Sequence, residues 1–209
     1  MTSVAAGDTG RRPGRPRDER VDRAIVDAAL ELFAAEGYDA LSVESVALQA
    51  EVSKATIYRR WPGKRELVVD ALATLNDDFP PLTDGSTKER LLTAMKYMAN
   101  KHADSLAGRI MPSMLVYSVS QPDLYAEYFD RVIMPRRRRL QVVLRDGIEN
   151  GDLRPDLDIE TATMSIVGPV LLQVHSLGRR TPNPDLPDQL MDILWPGLAA
   201  TAGKSDSRA

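Results

Sequence analysis

Residues 42–67 read SVESVALQAEVSKATIYRRWPGKREL, and this stretch decides the fold. It predicts two short helices around a tight turn, with a third helix following directly. Ser42 stands where its side-chain oxygen can accept from an orphan N–H of the first short helix. Val43, Val46, Ala47 and Ala50 recur at helical spacing on one apolar face. The small Ala47 and Ala50 let the next helix approach closely. Val52 lies in the turn and points inward, Ser53 caps the second short helix, and Ile57 is its buried anchor. Lys54, Ala55, Thr56, Tyr58, Arg59 and Arg60 are left around the outside. Pro62 ends this helix. Gly63 and Lys64 open the next, whose first backbone N–H groups can hold a phosphate.

The second short helix is small, basic and aromatic, a chemistry that suits the major groove of DNA. Residues 54–65 hold five Lys/Arg and no Asp or Glu. Local positive charge of this kind supplies non-specific affinity through counterion release. Lys54, Ala55 and Thr56, near the helix start, are the expected base readers, and the Thr56 methyl can also touch a thymine methyl. Tyr58 and Lys64 are the expected phosphate contacts. Ser42, Ser53, Arg59 and Arg60 complete the expected DNA-binding surface.

Over residues 20–75 the chain resembles the TetR/AcrR family of bacterial transcriptional regulators. The resemblance is carried by AALELFAAEGY at 28–38, SVESVA at 42–47, VSKATIY at 52–58, Trp61 and Lys64. One position departs from it: the family usually has Gly in the turn where this chain has Glu51. A left-handed residue other than Gly costs on the order of 1 kcal/mol. The resemblance implies a repressor whose last two long helices form a four-helix bundle across a two-fold axis. Such a homodimer would set two recognition helices on successive major grooves, about 34 Å apart, over a palindromic operator. It also implies a small-molecule effector bound in the second half of the chain.

The rest of the sequence bounds this reading. With 209 residues and 43% hydrophobic content, the chain can build one large or two small domains. It has no cysteine, hence no disulfide or thiolate chemistry, which suits a cytoplasmic protein. No apolar run reaches the roughly 18 residues of a membrane span, and the N-terminal residues lack the apolar core of a signal peptide. Net charge is −3. Residues 1–67 carry 11 Lys/Arg and 11 Asp/Glu, but the bases cluster at 11–23 and 54–65 with acids between. A DNA footprint depends on the local patch rather than the mean.

The expected organisation is all-α: a flexible basic arm at 1–17, a three-helix helix-turn-helix domain at 18–63, a larger helical ligand-binding and dimerisation domain at 64–201, and a tail at 202–209. The arm holds RRPGRPR at 11–17, whose prolines and glycine forbid a helix. Arg15 and Arg17 are expected in an A·T-rich minor groove, where negative potential is strongest. The alternative is a solvated tail. Helices are expected at 18–36, with Gly37 as C-cap, and at 64–75. A loop follows at 78–86. Further helices are expected at 87–103, 105–118 with a kink at Pro112, 121–147 with Pro135 inside, 158–177 and 188–200. The 158–177 helix is apolar nearly all round and must be covered on both sides, by its own chain or by a second copy.

Other chemistry is sparse. The two histidines, His102 and His175, are scattered and have no cluster at ligand spacing, so no metal or cofactor is expected. No Ser-His-Asp set or phosphate-cradling glycine loop argues for an enzyme. Arg136–Arg139 is a run of cations that a helix spreads over its full circumference. Each is solvated, paired with acids, or in contact with a partner acid or anionic ligand. Met95, Met98, Met111, Met114, Tyr117, Tyr125, Phe129, Leu171 and His175 are the candidate effector pocket, since methionine suits an irregular cavity. The same stripe also reads as plain core. The rival to a regulator is a helical ligand-binding or protein-interaction module with no specific operator.

Overall fold

The computed structural model describes residues 19–76, 79–100, 106–176 and 183–200; for 111, 112 and 173–176 it describes the backbone alone. The helices are α1 (Glu19–Ala40), α2 (Val43–Gln49), α3 (Lys54–Tyr58), α4 (Lys64–Ala73), α5 (Thr87–Asn100), α6 (Leu106–Ser120), α7 (Pro122–Tyr128), α8 (Met134–Glu149), α9 (Ile159–Ser176) and α10 (Leu186–Leu198). Among the described residues there is no strand, only one isolated bridge between Leu153 and Ala199. No described helix is long and apolar enough to cross a membrane. The basic arm with Arg15 and Arg17, and His102, lie outside the described residues.

Local signals set the ends of the first helices. Helical geometry in α1 breaks at Gly37, which takes φ +79°, a left-handed turn that costs glycine nothing. Ser42 caps α2 in a reciprocal capping box with Ser45. The Ser53 hydroxyl accepts from the Thr56 N–H at 3.2 Å to start α3. Between them Glu51 sits at φ +54°, so the turn keeps its left-handed residue without glycine.

Two apolar cores divide the molecule. The first gathers α1–α4, with Ile25, Phe33, Val46, Ile57 and Leu72 buried, and extends into Ile110, Met114, Tyr117, Leu124, Tyr128 and Val132. Thus α6 and α7, which come after the loop, complete the core of the half that carries α3. The second core is built by α5, α8, α9 and α10 around Leu91, Met95, Leu144, Ile166 and Met191. Gly147 lies inside α8 because a Cβ there would come within 2.7 Å of Thr87 and 2.8 Å of Leu153, so the helix runs on to Glu149.

The expected single helix over 121–147 is divided. Residues Phe129–Ile133 form a π turn between α7 and α8, and Pro135 stands in the first turn of α8. Proline has no N–H to donate to the carbonyl four residues back, and its ring crowds that carbonyl. The freed Arg131 carbonyl, with that of Val132, accepts from the Asn76 amide, each at 3.2 Å. The π turn is therefore bound to the segment that leaves α4.

Candidate nucleic-acid interface and effector cavity

The exposed face of α3 carries Ser53, Lys54, Ala55, Tyr58 and Arg59, with Thr56 half-buried beside them. Ile57 is fully buried and Trp61 is buried against the core, its indole N–H donating to Asp70 at 2.7 Å. Tyr58 is 51% exposed, so its ring stands off the surface. Lys54 pairs with Glu44 of α2 at 2.7 Å. The pair holds the Glu44 carboxyl below its usual range and the Lys54 ammonium above. Both partners are exposed, so the pair is screened and exchanges readily for a phosphate or a base acceptor.

Two of the expected contacts are turned inward. Arg60 pairs with Asp22 of α1 and donates to the Thr56 carbonyl at 3.1 Å. Its side chain is only 12% exposed, so it fastens α3 to α1. The Lys64 ammonium donates to the carbonyls of Tyr38 at 2.7 Å and Leu41 at 2.9 Å, and lies 4.3 Å from the centre of the Tyr38 ring. A longer contact to the Asp39 carbonyl, 3.5 Å, engages its third donor. Lys64 reaches a phosphate only by releasing some of these oxygens. Ser42 serves α2 as a cap and is half-buried. At the start of α4, Gly63 caps with extended backbone and no side chain, leaving first-turn N–H groups without an internal partner.

The DNA-reading half is joined to the rest by polar ties. The Tyr38 N–H donates to the Tyr117 hydroxyl of α6 at 2.8 Å. Arg65 meets Glu127 of α7 at 3.0 Å, and Arg131 pairs with Asp70. Gln121 donates to Asp39 at 3.1 Å.

Between α6, α7, the π turn and α9 lies a cavity of about 390 Å³. Of the sequence candidates, Met114, Tyr125, Phe129 and Leu171 line it. Met98 lines a smaller adjoining chamber of about 50 Å³. Met95 is buried in the second core, on neither wall. Tyr117 packs edge-on against Phe33 and Tyr38 instead, because its hydroxyl is held at the α1 end. The side chains of Met111 and His175 lie outside the described residues. Not anticipated were Leu115, Tyr128, Arg137, Met164, Gly168 and Leu172, which also line the cavity. The spacing of Met164, Gly168, Leu171 and Leu172, one stripe of α9, was the available signal. Burial pushes the Tyr128 hydroxyl up to about 12.

An exposed, capped, basic short helix on a three-helix support, backed by a second helical half with its own core and cavity, defines a helix-turn-helix DNA-binding protein. The family model "Bacterial regulatory proteins, tetR family" matches residues 25–71, and "Tetracyclin repressor-like, C-terminal domain" matches 81–194. The "Uncharacterized HTH-type transcriptional regulator YdeS" of Bacillus subtilis is 33% identical over 90% of this chain and 95% of its own length. Two solved structures share the fold. The TetR family transcription regulator SCO0332 has a TM-score of 0.67 and 26% identity, over 85% of this chain and 98% of that one. FadR from Bacillus subtilis in complex with stearoyl-CoA has 0.72 and 21%, over 84% and 98%. The chain belongs to the TetR family. It is a DNA-binding transcriptional regulator, and its relatives are regulators rather than enzymes.

Proposed function

We propose that the protein is a cytoplasmic, ligand-responsive repressor that acts as a homodimer on a palindromic operator. One observation carries the ligand-responsive part: Met114 and Tyr128 belong at once to the cavity wall and to the core of the DNA-reading half. A ligand that changes the packing of α6 and α7 therefore changes the seat of α1 and α4. Such differential affinity between two conformations is the coupling, typically about 1–3 kcal/mol. The Bacillus subtilis FadR, which shares this fold, is in complex with stearoyl-CoA, and this supports a small-molecule ligand for the present chain.

The dimer reading is supported by apolar side chains left uncovered on the last two helices: Met164 and Leu172 on α9 are 56% and 64% exposed, and Ile193 on α10 is 74% exposed. A second copy covering them would hold two recognition helices at a fixed spacing. Lys54, Ala55 and Thr56 read bases; Ser53, Tyr58 and Arg59 meet phosphates; Arg15 and Arg17 enter the minor groove. Arg60 and Lys64 act from behind, holding α3 and the start of α4 against the groove.

The test is to incubate the purified protein with sheared host genomic DNA at near-physiological salt and sequence what is retained. A shared palindrome with half-sites one helical turn apart is expected. Retention of DNA with no common sequence would replace this reading with an architectural role. Failure to retain DNA would favour a protein-interaction module.

A further inference from the structure

The four arginines of residues 136–139 part company in space, and two of them meet the cavities. Arg137 lines both the large cavity and the small chamber, and Arg136 lines the small one. Among the described residues the Arg136 guanidinium is held by neutral oxygens, the Asn76 amide oxygen and the Leu75 carbonyl at 2.7 Å. Arg139 donates to the Phe79 carbonyl at 3.4 Å and lies 5.3 Å from the centre of the Phe79 ring, which also lines the small chamber. Arg138 is exposed. Among the described residues, the carboxylate paired with this group is Glu160, which bonds one terminal nitrogen of Arg137. Positive charge thus exceeds negative charge at one end of an otherwise apolar space.

Arg137 itself is incompletely satisfied. Its side chain is 17% exposed, yet its Nε–H is buried with no hydrogen-bond partner among the described residues. A buried guanidinium donor without an acceptor is costly, and a carboxylate is the acceptor whose two oxygens match the Nε and terminal N–H fork. The present counterion lies at the surface: the Glu160 side chain is 58% exposed, and its second oxygen accepts from the Gln141 amide at 3.0 Å. Around this point the walls are Met114, Leu115, Ile133, Met164, Val167 and Leu171. The volume of about 390 Å³ far exceeds the roughly 10–15 Å³ that admits a single water, which leaves room for an aliphatic chain.

We infer that the cavity takes a medium-chain aliphatic carboxylate, its headgroup seated on the Arg137 guanidinium in place of Glu160 and its chain lying between α6, α7 and α9. The inference rests on the ligand-responsive reading above and names the ligand class for it. Glu160 is then the displaced counterion, which sets the affinity without touching the chain.

Dodecanoate and 1-dodecanol, titrated calorimetrically below their aggregation limits into the full-length protein, separate headgroup from chain. Wild type should bind dodecanoate at least tenfold more tightly than dodecanol. Arg137→Gln should bring the two to equality, with dodecanol unchanged. Glu160→Gln should tighten dodecanoate several-fold and leave dodecanol alone. Gly168→Phe should weaken both, because Gly168 lines the cavity and a Cβ there meets nothing within 4 Å, so a ring can be added without a clash at its root. Thermal unfolding of each variant establishes that it is folded. Equal affinity for the two probes in wild type, discrimination that survives in Arg137→Gln, or wild-type binding in Gly168→Phe would each overturn the assignment. Dodecanoate that binds as expected but leaves operator affinity unchanged supports the anchor and removes the ligand-responsive reading instead.

Discussion

The contact between Gly37 and Tyr117 makes a quantitative prediction about how α1 is held to α6. At Gly37 the chain takes φ +79°, and a Cβ there would lie 2.7 Å from the Tyr117 hydroxyl. The same hydroxyl accepts the Tyr38 N–H at 2.8 Å. Tyr117→Phe keeps the ring against Phe33 and Tyr38 but leaves a half-buried N–H unpaired, at about 1–2 kcal/mol. Gly37→Ala brings about 1–2 kcal/mol of left-handed strain and, by displacing the hydroxyl, loses the same hydrogen bond as well. The double variant loses that bond only once. It should therefore be about as stable as Gly37→Ala alone, with a coupling of about 1–2 kcal/mol. Urea unfolding followed by circular dichroism at one fixed protein concentration measures all four corners of the cycle. Free energies that add to within about 0.5 kcal/mol would refute the argument, since they would mean that the hydroxyl and the Gly37 Cβ position do not compete.

Three further predictions follow from single residues. Glu51→Gly should stabilise the protein by up to about 0.5 kcal/mol, the left-handed strain of about 1 kcal/mol removed less the extra chain entropy of glycine; a lower melting temperature would contradict the φ of +54° at this turn. Arg59→Ala should lower the salt slope of operator binding by about one unit with unchanged stability. Arg60→Ala should instead lower the melting temperature, because it leaves Asp22 without its partner; the reverse pattern would exchange their roles. For Tyr128, the ordinary value of 10.0 is raised to about 12 in the fold. The raised value favours the neutral hydroxyl in the folded state. The associated stability is complete below pH 10 and is lost as pH rises towards 12, on the order of 2–3 kcal/mol. Tyr128→Phe should flatten the stability curve over that window, and an unchanged alkaline limb would refute it.

The helix-turn-helix could be read from the sequence because its determinants act within a few residues. Ser42 and Ser53 cap the N–H groups three positions ahead, Gly37 permits its own φ, and Val43, Val46 and Ile57 mark the buried face by spacing. The exposed chemistry of α3 was legible for the same reason, since whatever is left off the buried face points out.

Tertiary structure alone decided where the long cations go and where the chain fails to fill space. Lys64 and Arg60 carry flexible side chains that reach carbonyls and an acid 23 to 38 positions away, and no local pattern names those partners. A helix turns each residue by about 100°, so Arg136, Arg137 and Arg138 fan apart while Arg139 comes back to the side of Arg136. Which of them meets a cavity depends on neighbours brought by α4 and α9. The division of residues 121–147 at Pro135 was set locally, but what the freed carbonyls bind, Asn76, came from the fold. A methionine at helical spacing looks the same whether it packs, as Met95 does, or lines a cavity, as Met114 does. A cavity is a property of what several distant segments leave unfilled between them, and no single segment encodes it.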